Sequence, residues 1–302
     1  MKQIILLLII ALLLTGCGAP AAPADIAATT LPVYEFTLRL CEGTPLTVTR
    51  LVTEEVSCLH DYSLNVRQVK AAEAARVTVI SGAGLEDFLD GVIAQDAVID
   101  ASQGIPLLSG ESEHHHGHDG EEAHHHGHDG EEAHHHHGED PHIWLSPENA
   151  KQMAVNICDG LAQVYPKYEE QFRGNLQPLL EELDALQRYG DSQLAELACR
   201  EIITFHDGFA YFAHAFDLTV LRSMEEESGR EASAKELIEL IGEVEYHALP
   251  AVFTEKSGSV SAAGILSRET GCGVYALDMA MSGESYFDAM YRNIDTVKEA
   301  LQ

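Results

Sequence analysis

Twelve of the seventeen histidines in this chain of 302 residues lie in one short segment, between Glu111 and Asp140. The segment contains three near-repeats in which runs of histidine alternate with Asp, Glu and Gly. Neutral imidazole is the most common protein ligand for zinc and neighbouring metals, so this composition predicts a multivalent binder of divalent cations. Because the segment has no apolar period that a core could bury, we expect a solvated loop. The candidate loop ligands are His114, His115, His116, His118, His124, His125, His126, His128, His134, His135, His136 and His137.

The segment is not an expression tag, because it lies inside the chain and repeats with DGEEA spacers. It runs directly into the motif Asp-Pro-His-Ile-Trp, whose histidine is His142.

Three more histidines and one aspartate are placed where a tighter metal site could form. His206 and Asp278 each directly follow a predicted strand, and His60 comes eight residues after another. Open α/β sheets bind ligands beyond the carboxyl ends of their strands. His142 lies at the predicted junction between two lobes. Three imidazoles and one carboxylate make a closed tetrahedral shell of the kind that zinc accepts.

Taken singly, a histidine is more often a hydrogen-bonded surface or core residue than a ligand. We expect His214, which lies eight residues beyond His206 in an apolar helical pattern, to pack in the interior. His247 is expected to end a helix, where a positive side chain suits the helix dipole.

The elements that must position these residues alternate along the chain. Short β-branched segments predict strands at residues 46–52, 77–80, 97–100, 201–205, 218–221, 251–254 and 274–277. Helical patterns occupy residues 66–75, 85–93, 208–215, 234–246, 262–270 and 286–301. This alternation predicts an α/β fold with two lobes, each a parallel sheet flanked by helices, joined by a long linker helix.

The predicted linker is mostly helical, with Ser146 as the N-cap and Pro147 at the first helical position. Pro166 should start a second helix, and Pro178 should kink or interrupt it. A long helix that spans both lobes favours small tilts over wide closure. The expected divisions are a signal peptide at 1–17, an N-terminal lobe at 18–145 with the His-rich loop at 111–140, a helical linker at 146–198 and a C-terminal lobe at 199–302.

The first seventeen residues have the pattern of a secretion signal, with Lys2 followed by the apolar run 4–14. Eleven apolar residues are too few to span a bilayer. The ending Leu-Thr-Gly-Cys resembles the lipobox of bacterial lipoproteins, which implies lipidation at Cys17 and a location outside the cytoplasm on the cell membrane. An ordinary cleaved signal with an incidental cysteine is the alternative. Residues 19–28, rich in Ala and Pro, would then form a short tether.

The formal net charge of −31 argues against a nucleic-acid partner, because a polyanion would be repelled. A chain with this excess of negative charge is expected to bind cations. We also expect the protein to be monomeric. Five cysteines besides Cys17 lie in a compartment that permits disulfides. Cys41 with Cys58, and Cys199 with Cys272, are the favoured pairs because each lies within one predicted lobe, although the spacing leaves the connectivity open.

Several motifs occur in a fixed order along the mature chain. They are His60-Asp61-Tyr62, the segment Ser81–Glu86 (SGAGLE), the segment Asp140–Leu145 (DPHIWL), Phe205–Phe209 (FHDGF), Phe253-Thr254-Glu255 and Leu277-Asp278. Together they resemble the zinc- and manganese-binding lipoproteins that serve ATP-binding-cassette importers, in particular the zinc-uptake branch of the cluster A-I solute-binding proteins. DPHIWL and SGAGLE are the most specific of these motifs.

This resemblance implies an extracytoplasmic protein that binds Zn²⁺ between two lobes and delivers it to a membrane permease. The family's ligand positions fall on His60, His142, His206 and Asp278. Manganese members usually carry a glutamate where this chain has His206, and a borderline nitrogen in place of a hard oxygen favours zinc. Asp61 or Asp207 would orient the imidazole rings.

The chain also departs from the family. Residues 54–59 replace a proline-rich turn before His60, and some zinc-binding members use a glutamate or water in place of the residue at Asp278. A manganese, nickel or iron carrier of the same family is therefore an alternative. A secreted zinc hydrolase is disfavoured, because the chain has no HExxH motif and no evident nucleophile beside its strand-end carboxylates. A surface adhesin with a structural metal is a third alternative. We therefore expect a transport protein and not an enzyme.

Overall fold

The structure is a computed structural model that describes residues 24–56, 59, 62–94, 97–108, 139–224, 233–256 and 260–302. The predicted signal peptide with Cys17, the residues Cys58, His60 and Asp61, and all twelve histidines of the His-rich loop lie outside the described residues.

The described part of the first lobe contains a parallel sheet with the strand order β2-β1-β3-β4. Its strands are β1 (Ile26–Ala28), β2 (Val48–Arg50), β3 (Val77–Ile80) and β4 (Val98–Asp100). Its helices are α1 (Leu31–Leu40) and α2 (Val66–Ala74). A capping box starts α2, in which Asn65 accepts from the backbone of Gln68 and the Gln68 side chain accepts from the backbone of Asn65.

The second lobe repeats this arrangement with the order β6-β5-β7-β8, again within the described residues. Its strands are β5 (Glu201–Thr204), β6 (Thr219–Ser223), β7 (Ala251–Glu255) and β8 (Gly273–Leu277). Its helices are α5 (Ala210–Ala215), α6 (Ala234–His247), α7 (Ser261–Thr270) and α8 (Tyr286–Leu301). The predicted fold class is confirmed: each lobe is a parallel sheet flanked by helices.

Two helices connect the lobes, α3 (Pro147–Val164) and α4 (Glu169–Gln193). Ser146 caps α3 by accepting from the backbone of Asn149, and Pro147 occupies its first turn, as predicted. Pro166 begins a short 3₁₀ turn, Pro166–Tyr168, that leads into α4.

The expected interruption at Pro178 does not occur, because α4 runs through it for 25 residues. Pro178 removes one helical hydrogen bond and crowds the carbonyl of Gly174. Both residues are exposed, so water can solvate the carbonyl that loses its partner.

A set of hydrogen bonds, here called the interlobe clasp, joins the lobes next to the DPHIWL motif. Trp144 is fully buried, and its indole N–H donates to the Met279 carbonyl at 2.8 Å. The Tyr286 hydroxyl donates to the Trp144 carbonyl, also at 2.8 Å. The backbone N–H of Leu31 donates to the Met281 carbonyl at 3.1 Å. The clasp therefore fixes the segment that follows β8 against the first lobe.

Two predictions for the first lobe were wrong. Residues 26–28, expected to belong to a tether, form β1, which lies between β2 and β3. A three-residue strand is too short to show a period, so the pattern could not reveal it. The helix predicted at 85–93 is a single 3₁₀ turn, Asp87–Leu89, because Gly91 adopts a positive φ of 74° that ends the helical path.

The predicted Cys199–Cys272 disulfide is also wrong, because both residues are free thiols. Cys41 is free as well, and its predicted partner Cys58 lies outside the described residues. Cys41 and Cys272 are buried among apolar side chains, where a thiol packs as a small hydrophobic group. Burial raises the pKa of Cys41 to about 12, so this thiol is unreactive at neutral pH.

The SGAGLE loop after β3 is organised by the buried carboxylate of Glu86. Its oxygens accept from the Thr29 hydroxyl at 2.7 Å and from the backbone N–H groups of Ser81 at 2.8 Å and Gly82 at 2.9 Å. Burial raises the pKa of Glu86 to about 7, although these hydrogen bonds oppose the rise.

Glu86 should make stability depend on pH in a defined direction. Its pKa is higher in the folded protein than the ordinary value of 4.5. Its stabilising contribution is therefore complete below pH 4.5 and is lost as the pH rises through about 7. We expect the free energy of unfolding of the wild type to fall, relative to Glu86→Gln, by up to about 3 kcal/mol across this range. Denaturant titrations at several pH values measure the difference.

The exposed Glu170, replaced in Glu170→Gln, provides the control and should show no such difference. A difference between wild type and Glu86→Gln that stays constant with pH would contradict the assignment.

Candidate metal centre between the lobes

His142 is held rigidly at the start of the 3₁₀ turn Ile143–Leu145 and is only 1% exposed. Its Nδ1 lies 2.7 Å from Oδ1 of Asp140, and its backbone N–H donates to the same oxygen at 2.9 Å. A carboxylate on one ring nitrogen fixes the orientation of an imidazole and makes its other nitrogen a better metal ligand. Asp140 is itself buried, and its backbone carbonyl accepts from the hydroxyl of Tyr211 at 3.0 Å.

His206 approaches His142 from the second lobe. It follows β5 after one intervening residue, at the carboxyl end of the strand. The centroids of the two imidazole rings are 5.4 Å apart, and the rings are inclined by 81°. The structure thus brings together two of the predicted ligands, one from each lobe, close enough to approach a single ion.

Gly208 makes this approach possible. A Cβ atom at this position would lie 2.9 Å from Cδ2 of His206, 3.0 Å from Nδ1 of His142 and 2.6 Å from Cε of Met279. Only a residue without a side chain therefore leaves both imidazoles in their places.

Two carboxyl groups of the second lobe lie at the carboxyl ends of neighbouring strands. Oε2 of Glu255, at the end of β7, lies 3.7 Å from Nδ1 of His206, and its side chain is 5% exposed. Burial raises the pKa of Glu255 to about 8, and the neighbouring Asp278 carboxylate adds to the rise. Asp278 follows β8, is 15% exposed, and accepts from the backbone N–H of Ala280 at 2.9 Å.

The other predicted residues fall into two groups. His60 and the twelve loop histidines lie outside the described residues. His214 was expected to pack but is exposed on α5, whereas His247 ends α6 as predicted and lies 3.0 Å from Glu201. Within the part of the chain that the structure describes, no three His, Cys, Asp or Glu side chains form a metal-binding cluster.

Sequence reasoning missed three residues of the centre. Asp140 contacts the imidazole of His142, and Glu255 contacts that of His206. Asp61 lies outside the described residues, and a ring-orienting role for Asp207 stays a prediction. Asp140 lies only two positions before His142 in the sequence, so this proximity could have predicted their contact. For Gly208 and Glu255, by contrast, only the packing of the second lobe reveals the contact.

The comparisons with known proteins agree with this architecture. Residues 26–300 match the family model described as the periplasmic component A of the zinc-uptake complex, ZnuA. The chain belongs to this family. The family and the relatives below are zinc-uptake and zinc-binding proteins, which confirms the expectation that the chain is not an enzyme.

Among the relatives is the zinc-binding lipoprotein AdcA of Streptococcus pneumoniae, which is 28% identical over 99% of this chain. The chain spans only 61% of the length of that relative. A crystal structure of ZnuA matches with 27% identity and a TM-score of 0.73, covering 92% of this chain and 99% of the other. The Zn(II)-bound ZnuA-like domain of S. pneumoniae AdcA matches with 25% identity and a TM-score of 0.73, covering 92% and 98% of the two chains.

None of the described helices is both long enough and apolar enough to cross a bilayer.

Replacing Gly208 by alanine should impair metal binding without unfolding the protein. The new Cβ would push the rings of His142 and His206 apart, and metal ligands must be held within about 0.5 Å of their positions. We expect Gly208→Ala to lower the affinity for a divalent metal roughly tenfold or more, a loss of about 1.4 kcal/mol. Isothermal titration measures the affinity, and circular dichroism checks the fold.

Gly242→Ala is the matched control, because a Cβ at this helical glycine meets nothing within 4 Å. It should bind metal as the wild type does. If Gly208→Ala also retained wild-type affinity, the two imidazoles could not be sharing one ion.

Proposed function

We propose that this protein is an extracytoplasmic carrier that binds Zn²⁺ between its lobes and delivers it to a membrane permease driven by an ATPase. The proposed ligands are His60, His142, His206 and Asp278. Two neutral imidazoles from the first lobe, one from the second lobe and a carboxylate would complete a tetrahedral shell.

The convergence of His142 and His206 carries this proposal. The two rings are held 5.4 Å apart between centroids by elements of different lobes, and each has a carboxyl group on its Nδ1 side. Such carboxylate–imidazole pairs are typical of metal-binding histidines. Membership of a zinc-uptake family and the Zn(II)-bound relative support zinc as the metal.

Metal selectivity follows from the donor set. Imidazole nitrogen is a borderline ligand that suits zinc, whereas manganese prefers oxygen ligands. A carrier for manganese, nickel or iron is the second candidate, and competition among these ions on the purified protein distinguishes the two.

We further propose that the signal peptide is cleaved before Cys17, and that Cys17, as the lipidated N-terminus of the mature chain, anchors the protein to the membrane. The S. pneumoniae relative is described as a lipoprotein, and the family as periplasmic, which supports this location. The protein would act as a monomer.

The His-rich loop would collect zinc at many weak sites and raise its concentration near the centre. Its twelve histidines and acidic residues supply the multivalency, and it joins the chain immediately before Asp140 and His142.

Replacing His206 tests the ligand set directly. Because His206→Ala removes one of four proposed ligands, we expect the zinc affinity of the tight site to fall by at least about 100-fold. His206→Glu should retain metal binding but shift the preference from zinc towards manganese, because it substitutes an oxygen for a nitrogen ligand. Chelator competition with each metal measures both effects.

His214→Ala is the control, because His214 is exposed on α5 and is not one of the proposed ligands. The wild-type affinity should also drop as the pH falls below about 6, since imidazole ligands must be deprotonated. An affinity that is the same at pH 5.5 and 7.5, or unchanged in His206→Ala, would refute this ligand set.

Deleting residues 111–139 separates the two kinds of site. The shortened protein keeps Asp140 and His142, so we expect one tight zinc ion to remain bound while several weakly bound ions are lost. Titration calorimetry counts both classes. Loss of the tight ion would show that the loop itself supplies ligands to the centre.

A further inference from the structure

A lysine lies beside Asp278, one of the proposed ligands. Lys256 directly follows β7, and its backbone N–H donates to the carbonyl of Leu277, the residue before Asp278, at 2.8 Å. Successive residues leave a strand on opposite sides, so Glu255 turns inwards to His206 while Lys256 turns outwards to the rim of the cleft. The two side chains thus approach the centre from different directions.

Both oxygens of Asp278 are occupied. Oδ1 accepts from the backbone of Ala280, and Oδ2 lies 3.3 Å from Nζ of Lys256 and 3.6 Å from Nη2 of Arg292. Lys256 provides the nearer of the two charges and forms a hydrogen bond as well as an ion pair. A metal ion that binds through Oδ2 must therefore displace the ammonium group.

Displacement is feasible because the side chain has room and a second partner. Lys256 is 54% exposed, and its Nζ also lies 4.0 Å from Oε1 of Glu55. Glu55 belongs to the first lobe, in the segment that leads towards His60. The ammonium group can therefore leave Asp278 and remain paired with Glu55 across the cleft. Only the side chain of Lys256 has to rotate, because its backbone is hydrogen-bonded to Leu277.

We propose that Lys256 is an affinity-setting residue, a tethered cation that pairs with Asp278 in the metal-free protein and yields this carboxylate to the incoming zinc ion. The inference rests on the proposed function and on Asp278 as a ligand. The ion must break an existing ion pair and then bind close to a displaced positive charge. Both effects weaken zinc binding and accelerate zinc dissociation. Faster dissociation suits a carrier that must transfer zinc to a permease.

Removing the charge should therefore tighten zinc binding. We expect Lys256→Met to raise the zinc affinity of the tight site about threefold or more at low ionic strength, mostly through slower dissociation, and the gain to shrink in high salt. Lys256→Arg keeps the charge and should behave like the wild type. Lys235→Met removes an equally long charged side chain that is 87% exposed on α6, and should change nothing.

The full-length chain is used throughout, with a high-affinity chromophoric chelator that outcompetes the weak sites of the His-rich loop. Trp144 is the only tryptophan of the chain, and its ring centroid lies 5.4 Å from that of His142. Its fluorescence therefore follows release from the centre in stopped-flow experiments.

The outcomes separate the role of Lys256 from the zinc-carrier function on which it rests. Tighter binding in Lys256→Met but not in Lys256→Arg or Lys235→Met supports the inference. Unchanged or weaker binding in Lys256→Met overturns it, because Lys256 would then be irrelevant or would hold Asp278 in place for the metal. Failure of the wild type itself to bind zinc tightly would instead refute the proposed function.

Discussion

The interlobe clasp is the interaction on which the rest of the site depends. Trp144 is buried two positions after His142 and donates to Met279, which is the neighbour of Asp278 in the second lobe. Tyr286, at the start of α8, returns a hydrogen bond to the Trp144 carbonyl. One buried aromatic side chain therefore fixes the distance between ligand-bearing segments of both lobes. If the indole N–H were buried without the Met279 carbonyl, the donor would be unsatisfied, which costs about 1–3 kcal/mol. The burial of Trp144 therefore favours the one position of the second lobe in which this hydrogen bond forms.

The clasp and the continuous helix α4 both join the two lobes, and such a connection favours small tilts over wide opening. Affinity must then be adjusted locally, by the groups around each ligand. Asp140 hydrogen-bonds to His142, which is almost fully buried. Glu255 lies against His206, and burial raises the pKa of Glu255 to about 8. Asp278, by contrast, is reached by cations at the rim. A buried pair of imidazoles thus lies near a carboxylate that cations reach from the rim, and this contrast would suit the proposed carrier.

Much of this could be predicted from residue patterns. Alternating strands and helices predicted two parallel sheets, and the positions of His206 and Asp278 directly after strands predicted that they would share one edge of a sheet. Ser146 and Pro147 marked the start of α3 correctly. Elements without a period were beyond such reasoning: β1 has three residues, and residues 85–93 looked helical although Gly91 and the Glu86 carboxylate impose turns. Pro178 did not break α4, because an exposed carbonyl can bond to water.

The amino-acid sequence by itself determined three things: the kinds of candidate metal ligand, the concentration of histidine and acidic residues in one segment, and the fold class. These follow from side-chain type and from periodicity, which are local properties. Only the tertiary structure decided which groups contact His142, His206 and Asp278. Asp140 lies against His142, Glu255 faces His206, Gly208 leaves space for both rings, and Lys256 pairs with Asp278. Apart from Asp140, these contacts join residues that are far apart in the chain or depend on the packing of one lobe. A local sequence pattern cannot predict them, because the distances are set by how the two sheets pack together.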